Sequence, residues 1–308
     1  MKINRKVIFK IIGEILFLFI LLTVIVSIIK MPKNFNIDLD IKKLDINSNV
    51  TFSHIKGEVK DYYDDLFSGT FGETKHGKNI WKYIKPGVKR TIILLISGLL
   101  ISIILGIFKG VFDSKKEKEK SSNLKMITSI TFLAMPTVFV IIAIQSILIW
   151  LFNSKGIKPL PIFGYSGPES YILPIICLSI IPMFYIARIV SLAIDKTYNQ
   201  DYIKTAMGKG ASRLRTLWVH SFRNAIIEIS DSFPSIATML ISGLLLVEYM
   251  FNFPGATYMM SNNLTREPNI AIAVAIIIGI IYYVLNIIFK IIKYVVNPKA
   301  KLVGNRRG

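Results

Sequence analysis

Six stretches of this chain are long and apolar enough to cross a lipid bilayer, and that pattern limits its fold more than any other feature. They run Val7–Ile29, Thr91–Phe112, Met126–Phe152, Tyr171–Ile194, Ser230–Met250 and Asn269–Val296. About 20 apolar residues in a helix cover the ~30 Å of hydrocarbon. In lipid every backbone N–H and C=O must be satisfied within the segment, so runs of this length are helices. The expected fold is therefore an all-α polytopic membrane protein with six transmembrane helices. The mean hydropathy of +0.52 agrees with it. The first run is too long for a signal peptide and no small-residue cleavage site follows it, so it is expected to stay attached.

Basic residues give the orientation. The 308-residue chain carries 38 Lys+Arg against 19 Asp+Glu, a net charge of +19. These cations flank apolar runs and do not stripe a polar helix, which argues against nucleic acid as a partner. With the N-terminus inside, segments 1–6, 113–125, 195–229 and 298–308 hold eighteen Lys/Arg, and the short outer loops 153–170 and 251–268 hold three. Both termini are therefore expected in the cytoplasm. Segment 30–90 carries twelve, but long loops translocate largely regardless of charge. The one cysteine, Cys177, allows no disulfide within the chain, and no cysteine or histidine spacing builds a metal site.

The external segment 30–90 has folded character. Ile37, Leu39 and Ile41 alternate with polar residues as in a half-buried strand. Val59, Tyr62, Tyr63, Leu66 and Phe67 recur at helical spacing. Ile80, Trp81 and Ile84 form a short apolar face expected to end at Pro86 as an interfacial elbow helix. Together they predict a small external α/β insert between the first two spans. Segment 113–125 is expected to be a solvated, mixed-charge linker. Pro136, Pro174, Pro182 and Pro234 are expected to interrupt the third, fourth and fifth spans, and Gly106 and Gly110 to allow close helix packing in the second. The divisions are 1–29, 30–90, a core over 91–297 that includes loop 195–229, and the tail 298–308.

Loop 195–229 is the most informative stretch. Tyr202, Ile203, Thr205 and Ala206 predict a short helix ended by Gly208 and Gly210. A second helix is expected from Ser212, with Arg213, Arg215 and Arg223 around it. Two short helices around a glycine turn make a compact knob. The runs DYIKTAMGKG at 201–210 and HSFRNA at 220–225 resemble the "EAA" loop of type I ABC importer permeases. More narrowly, the chain is similar to the B-type subunit of the oligopeptide/dipeptide permease family. FGET at 71–74, EYMFNFPG at 248–255 and NPK at 297–299 match further family signals. Lys204 and Thr205 depart from the Glu-Ala of the loop's name, Glu228 replaces a proline, and Lys290 and Asn297 replace aspartates.

The resemblance implies a bacterial plasma-membrane permease subunit without a catalytic centre or a cofactor of its own. ATP and magnesium would sit on two partner ATPases. A C-type permease subunit, an extracytoplasmic substrate-binding protein and membrane lipid complete the implied partners. Asp201, Tyr202, Thr205, Ala206, Lys209, Gly210 and Arg213 would form the ATPase-coupling loop, and Glu248, Pro254 and Gly255 an external loop. Peptides are the implied cargo, with nickel, metallophores or other small solutes as the alternative. A secondary transporter is disfavoured because the spans show no inverted repeat and no acidic residue at mid-depth. A membrane enzyme is disfavoured because no catalytic cluster lies at membrane depth.

Two further patterns bear on function. Asp231, Ser235, Thr238 and Ser242 follow at spacings of 4, 3 and 4, which places them on one helix face opposite Ile236, Met239, Leu240, Leu244 and Val247. The polar stripe is expected to turn inward, either for tight helix packing through small residues or, the favoured reading, to line a solute route where Pro234 breaks the helix. GETKHGKN at 72–79 nearly spells a phosphate loop, but Asn79 replaces the magnesium-holding hydroxyl and no strand precedes it.

Overall fold

The computed structural model describes residues 24, 57, 60, 63–66, 68–69, 71–114, 121–156, 160–198, 200–208 and 222–296. The first span (apart from Val24, which is helical), the 37–41 strand, the helix expected from Ser212 and the tail lie outside them. Eight α-helices are described at length: α1 Ile80–Asp113, α2 Ser121–Ala134, α3 Thr137–Lys155, α4 Ile172–Tyr198, α5 Asp201–Gly208, α6 Phe222–Met250, α7 Ala256–Asn263 and α8 Pro268–Val296. Five segments are long and apolar enough to cross a membrane: 80–113, 137–155, 168–197, 225–250 and 268–293. Packing divides the chain into two units, residues 1–86 with 259–277 and residues 87–258 with 278–308.

In the larger unit the apolar faces of α4 and α6 form the core. Leu178, Ile186, Val190 and Ile194 meet Ile236, Leu240 and Leu244 there, each at most 2 % exposed. The glycine pair of the second span sets the approach of α1 to α4. A β-carbon on Gly106 would lie 2.8 Å from Ile186 Cβ and from the Met183 carbonyl. One on Gly110 would lie 2.5 Å from Val190 Cβ and 2.6 Å from the Ala187 carbonyl. Lipid tails are as apolar as leucine, so such close contact, with hydrogen bonds between helices, is what binds helices in a bilayer. Ser102 Oγ adds one of these bonds, at 3.0 Å to the Ser179 carbonyl.

Three expectations need correction. The elbow helix does not end at Pro86, since α1 runs unbroken through it. Proline removes only one N–H, and Ile80, Ile84 and Val88 continue a single buried face across the site. Among the prolines only Pro136 interrupts a span, between α2 and α3, with extended backbone at φ −61°, ψ 141°. Pro174 stands in the first turn of α4, where amides lack helical partners anyway; Pro182 and Pro234 sit inside continuous helices. The linker expected at 113–125 is not wholly solvated. Asp113 is buried, accepts from Lys109 Nζ at 2.8 and 2.9 Å and from Ser129 Oγ at 2.8 Å, and so ties α1 to α2. The third helix is already formed from Ser121.

The smaller unit contains a tight hairpin over the near-phosphate-loop sequence. Glu73 and Asn79 pair across it, and Thr74 N–H donates to the Lys78 carbonyl at 2.9 Å. Asn79 Oδ1 then caps α1 by accepting Lys82 N–H at 3.0 Å.

Candidate functional site

Three places carry the candidate residues. At the first, α5 forms over Asp201–Gly208, opened by an exposed Asp201 suited to a helix N-terminus. Ile203 is fully buried and anchors the helix. Thr205 Oγ1 donates to the Asp201 carbonyl at 2.9 Å, so its hydroxyl is satisfied within the helix. Tyr202 and Ala206 belong to the same helix. Lys209, Gly210 and Arg213 lie outside the described residues.

The second place is the stripe on α6. Asp231, Ser235, Thr238 and Ser242 are all exposed along one side, and Ile236, Leu240, Leu244 and Val247 are buried on the other. The apolar face thus packs into this chain's own core, and the stripe opens away from it. The helix is continuous, so the stripe does not depend on a break at Pro234; Thr238 Oγ1 donates to the Pro234 carbonyl at 2.9 Å. The sixth span adds polar groups that spacing on one helix could not reveal. Lys293 Nζ lies 2.8 Å from Asp231 Oδ1, and Tyr282 OH lies 3.4 Å from Thr238 Oγ1. Below the stripe's inner half, Phe233 and Phe289 stack at 4.3 Å and hold α6 to α8.

The third place is the turn after α6. Glu248 is fully buried, and its carboxylate accepts Thr91 Oγ1 at 2.5 Å, Thr257 Oγ1 at 2.6 Å and Tyr258 N–H at 3.1 Å. Thr91 Oγ1 in turn accepts Ala256 N–H at 2.8 Å. The Glu248 carbonyl accepts Phe253 N–H at 2.8 Å, which folds the chain back over the helix end. Asn252 supplies the left-handed residue of the turn at φ 51°, a conformation asparagine tolerates. Arg90 Nη1 donates to the Pro254 carbonyl at 3.1 Å while its guanidinium stands 4.6 Å from the Tyr165 ring. Gln145 Nε2 reaches the Met250 carbonyl at 3.2 Å, and Gly164 N–H the Phe251 carbonyl at 2.8 Å. Tyr165 and Tyr171 meet Phe253 edge to face. The buried carboxylate therefore ties the start of the second span to the turn after α6, and carbonyls of that turn hold Gln145 of the third span and Gly164 of the loop before the fourth. The carboxylate is fully buried among its three donors within this chain. Arg188 Nη1 and Ser191 Oγ, on α4, are buried without a hydrogen-bond partner among the described residues.

Comparison with known proteins agrees with this geometry. The family model described as a binding-protein-dependent transport system inner membrane component matches residues 98–302. The chain is 30% identical over 228 residues to the metal-staphylopine import system permease protein CntB of Staphylococcus aureus, covering 73% of this chain and 71% of that one. It is 25% identical over 245 residues to the oligopeptide transport system permease protein AppB of Bacillus subtilis, covering 77% and 78%. In fold it is similar to the crystal structure of an amino acid ABC transporter, with a TM-score of 0.52, 14% identity and 76% of this chain and 97% of that chain covered. The chain belongs to the family of binding-protein-dependent transport system inner membrane components. It is a multi-pass inner-membrane permease subunit of an ABC importer, as its motifs implied.

Proposed function

We propose that this subunit forms half of a solute route for peptides, opened and closed by ATPase partners that grip loop 195–229. The observation that carries the reading is the polar stripe of α6, exposed along a membrane-crossing helix whose other face is fully packed. Hydroxyls and an ion pair facing lipid would gain nothing, so a water-filled route or a second permease subunit is their fitting neighbour. The chain itself supplies no catalysis. Its contribution is rigid-body switching driven from outside the membrane. ATP and magnesium belong to two cytoplasmic ATPase chains, and a C-type permease subunit completes the route. α5 with its glycine end is the part that enters a groove on the ATPase, because only small side chains let two backbones approach.

Peptide permeases among the relatives support a peptide cargo, and the metal-staphylopine permease supports a second reading, import of a metal–metallophore complex. Uptake of a labelled oligopeptide and of nickel or cobalt, measured in cells with and without this chain, separates them. Loss of peptide uptake on deletion is expected. Unchanged peptide uptake with reduced metal accumulation would replace the first reading by the second. Purification of the tagged chain should bring down two ATPase subunits and a second permease; recovery of this chain alone, in mild detergent, would count against the assembly.

A further inference from the structure

We infer that Asp231 and Lys293, with Thr238 and Tyr282 further along the seam of α6 and α8, form a receiving site for a zwitterionic solute. Asp231 would take its ammonium group and Lys293 its carboxylate. The inference deepens the solute route proposed above and rests on it. Ionisable side chains on membrane-crossing helices are costly and mark solute paths more often than packing. Here one of each sign meets, with Lys293 Nζ 2.8 Å from Asp231 Oδ1. Both stay open, since 44% of the Asp231 side chain and 45% of that of Lys293 is exposed. The other described charges on these turns are Glu228 on α6 and Lys290 on α8, both exposed. Two acids and two lysines balance, which suits a solute carrying both signs and disfavours a simple cation or anion.

The pair is not what holds the two helices together. Phe233 and Phe289, both buried, stack at 4.3 Å beside it and already join α6 to α8. An exposed ion pair contributes only ~0–1 kcal/mol. The Lys109–Asp113 pair differs: its acid is 2% exposed and also bonded to Ser129, so it is committed to structure. Opening Asp231–Lys293 costs little, and a solute with free termini replaces one ion pair by two. The flexible four-carbon stem of Lys293 lets its ammonium follow a carboxylate away from Asp231. Reach agrees as well. Seven residues of helix put Thr238 ~10 Å along the axis from Asp231, about the length of three extended residues. Thr238 Oγ1 donates to the Pro234 carbonyl, so across the 3.4 Å to Tyr282 the tyrosine hydroxyl is the donor. The tyrosine oxygen is left to accept a peptide N–H.

The test uses the assembled complex in nanodiscs, free of nucleotide and without binding protein, so that the selectivity of the binding protein does not enter. A small charged thiol reagent labels Ser235→Cys, one turn from Asp231, in a Cys177→Ser background. Trialanine at about ten times its half-saturating concentration should slow labelling roughly tenfold. N-acetyl-trialanine, which lacks the ammonium, and trialanine amide, which lacks the carboxylate, should protect far less. Asp231→Asn should erase the difference between trialanine and its N-acetyl form but keep that between trialanine and its amide. Lys293→Gln should do the converse. A strut between helices would not move these ratios. Equal protection by all three peptides, no protection by any, or discrimination unchanged in both variants would overturn the inference. A Ser235→Cys that never labels would instead overturn the solute route along the stripe, a result distinct from any of these.

Discussion

Gly255 lies so close to the Glu248 carboxylate that any β-carbon on it would overlap the carboxylate oxygens. The two ends of the EYMFNFPG motif thus define each other: the acid needs a glycine opposite it, and the glycine is held there by the acid's bonds to Thr257 and Tyr258 N–H. Gly255→Ala should therefore destabilise through collision. Gly164→Ala, where φ is +77° and nothing lies within 4 Å, should cost only backbone strain of ~1 kcal/mol. Thermal inactivation of the purified complex measures both, and Gly255→Ala should be clearly the worse. Glu248→Ala leaves Thr91, Thr257 and the Tyr258 amide without their acceptor and should cost ~3 kcal/mol or more, while Glu248→Gln keeps the shape and should cost less. Equal stability of Glu248→Ala and wild type would show that the buried network holds nothing together.

A second prediction concerns the α1–α4 seam. Gly106→Leu and Gly110→Leu should prevent assembly, since α1 must withdraw from α4 to admit either side chain. Gly110→Ala combined with Val190→Ala should recover only partly, because the substitution removes the Val190 γ-carbons but leaves its β-carbon at 2.5 Å and the Ala187 carbonyl at 2.6 Å from the new β-carbon. Full recovery of assembly by that double variant, scored by co-purification, would mean the backbone approach is not the constraint.

What the sequence revealed, and what it hid, follows from range. The five described spans, the glycine pair of α1 and the break at Pro136 were legible because each leaves its mark in the sequence within a few turns. The Glu248 network was not, since Thr91 is 157 positions away and nothing in its own context marks it as a donor. The polar stripe was legible on α6, but its partners Lys293 and Tyr282 become visible only when α8 is laid beside it. Pro86 and Pro234 misled in the same way: local rules predict a break, and packing on both sides carries the helix through.

Orientation gives a third prediction. Single cysteines at Ser121 and Ser48, in a Cys177→Ser background, should show opposite access to an impermeant thiol reagent. Ser48→Cys should label in intact cells with a permeabilised wall, and Ser121→Cys only after lysis. Labelling of Ser121→Cys in intact cells would reverse the charge-based topology.

A fourth concerns coupling. Ala206→Glu places a charge on α5, and Gly210→Phe a bulky ring after it; neither can enter a close-fitting groove. Both variants should insert at normal levels while ATP hydrolysis no longer drives import. Normal import by both at normal expression would remove loop 195–229 from the coupling role.

The last prediction concerns the stripe itself. Ser235, Thr238 and Ser242 lie on the open side of α6, bounded toward one end by the Asp231–Lys293 pair, whose side chains are 44% and 45% exposed. Three surroundings could meet such a face in the assembled complex: lipid, a tightly packed second permease subunit, or water. Cysteine reactivity distinguishes them, because a thiol reacts as thiolate and ionises only where water reaches it. Ser235→Cys, Thr238→Cys and Ser242→Cys should each react with a small charged thiol reagent, and the rates should change when the complex is trapped with a non-hydrolysable ATP analogue. Lipid contact predicts no reaction in either state, and packing against a sister subunit predicts protection that is lost when that subunit is removed. Asp231→Asn should leave the reactivity at Ser242→Cys unchanged and alter that at Ser235→Cys, one helical turn from the ion pair. If all three cysteines stay unreactive in both states while the complex still transports, the face is buried packing and the solute route runs elsewhere.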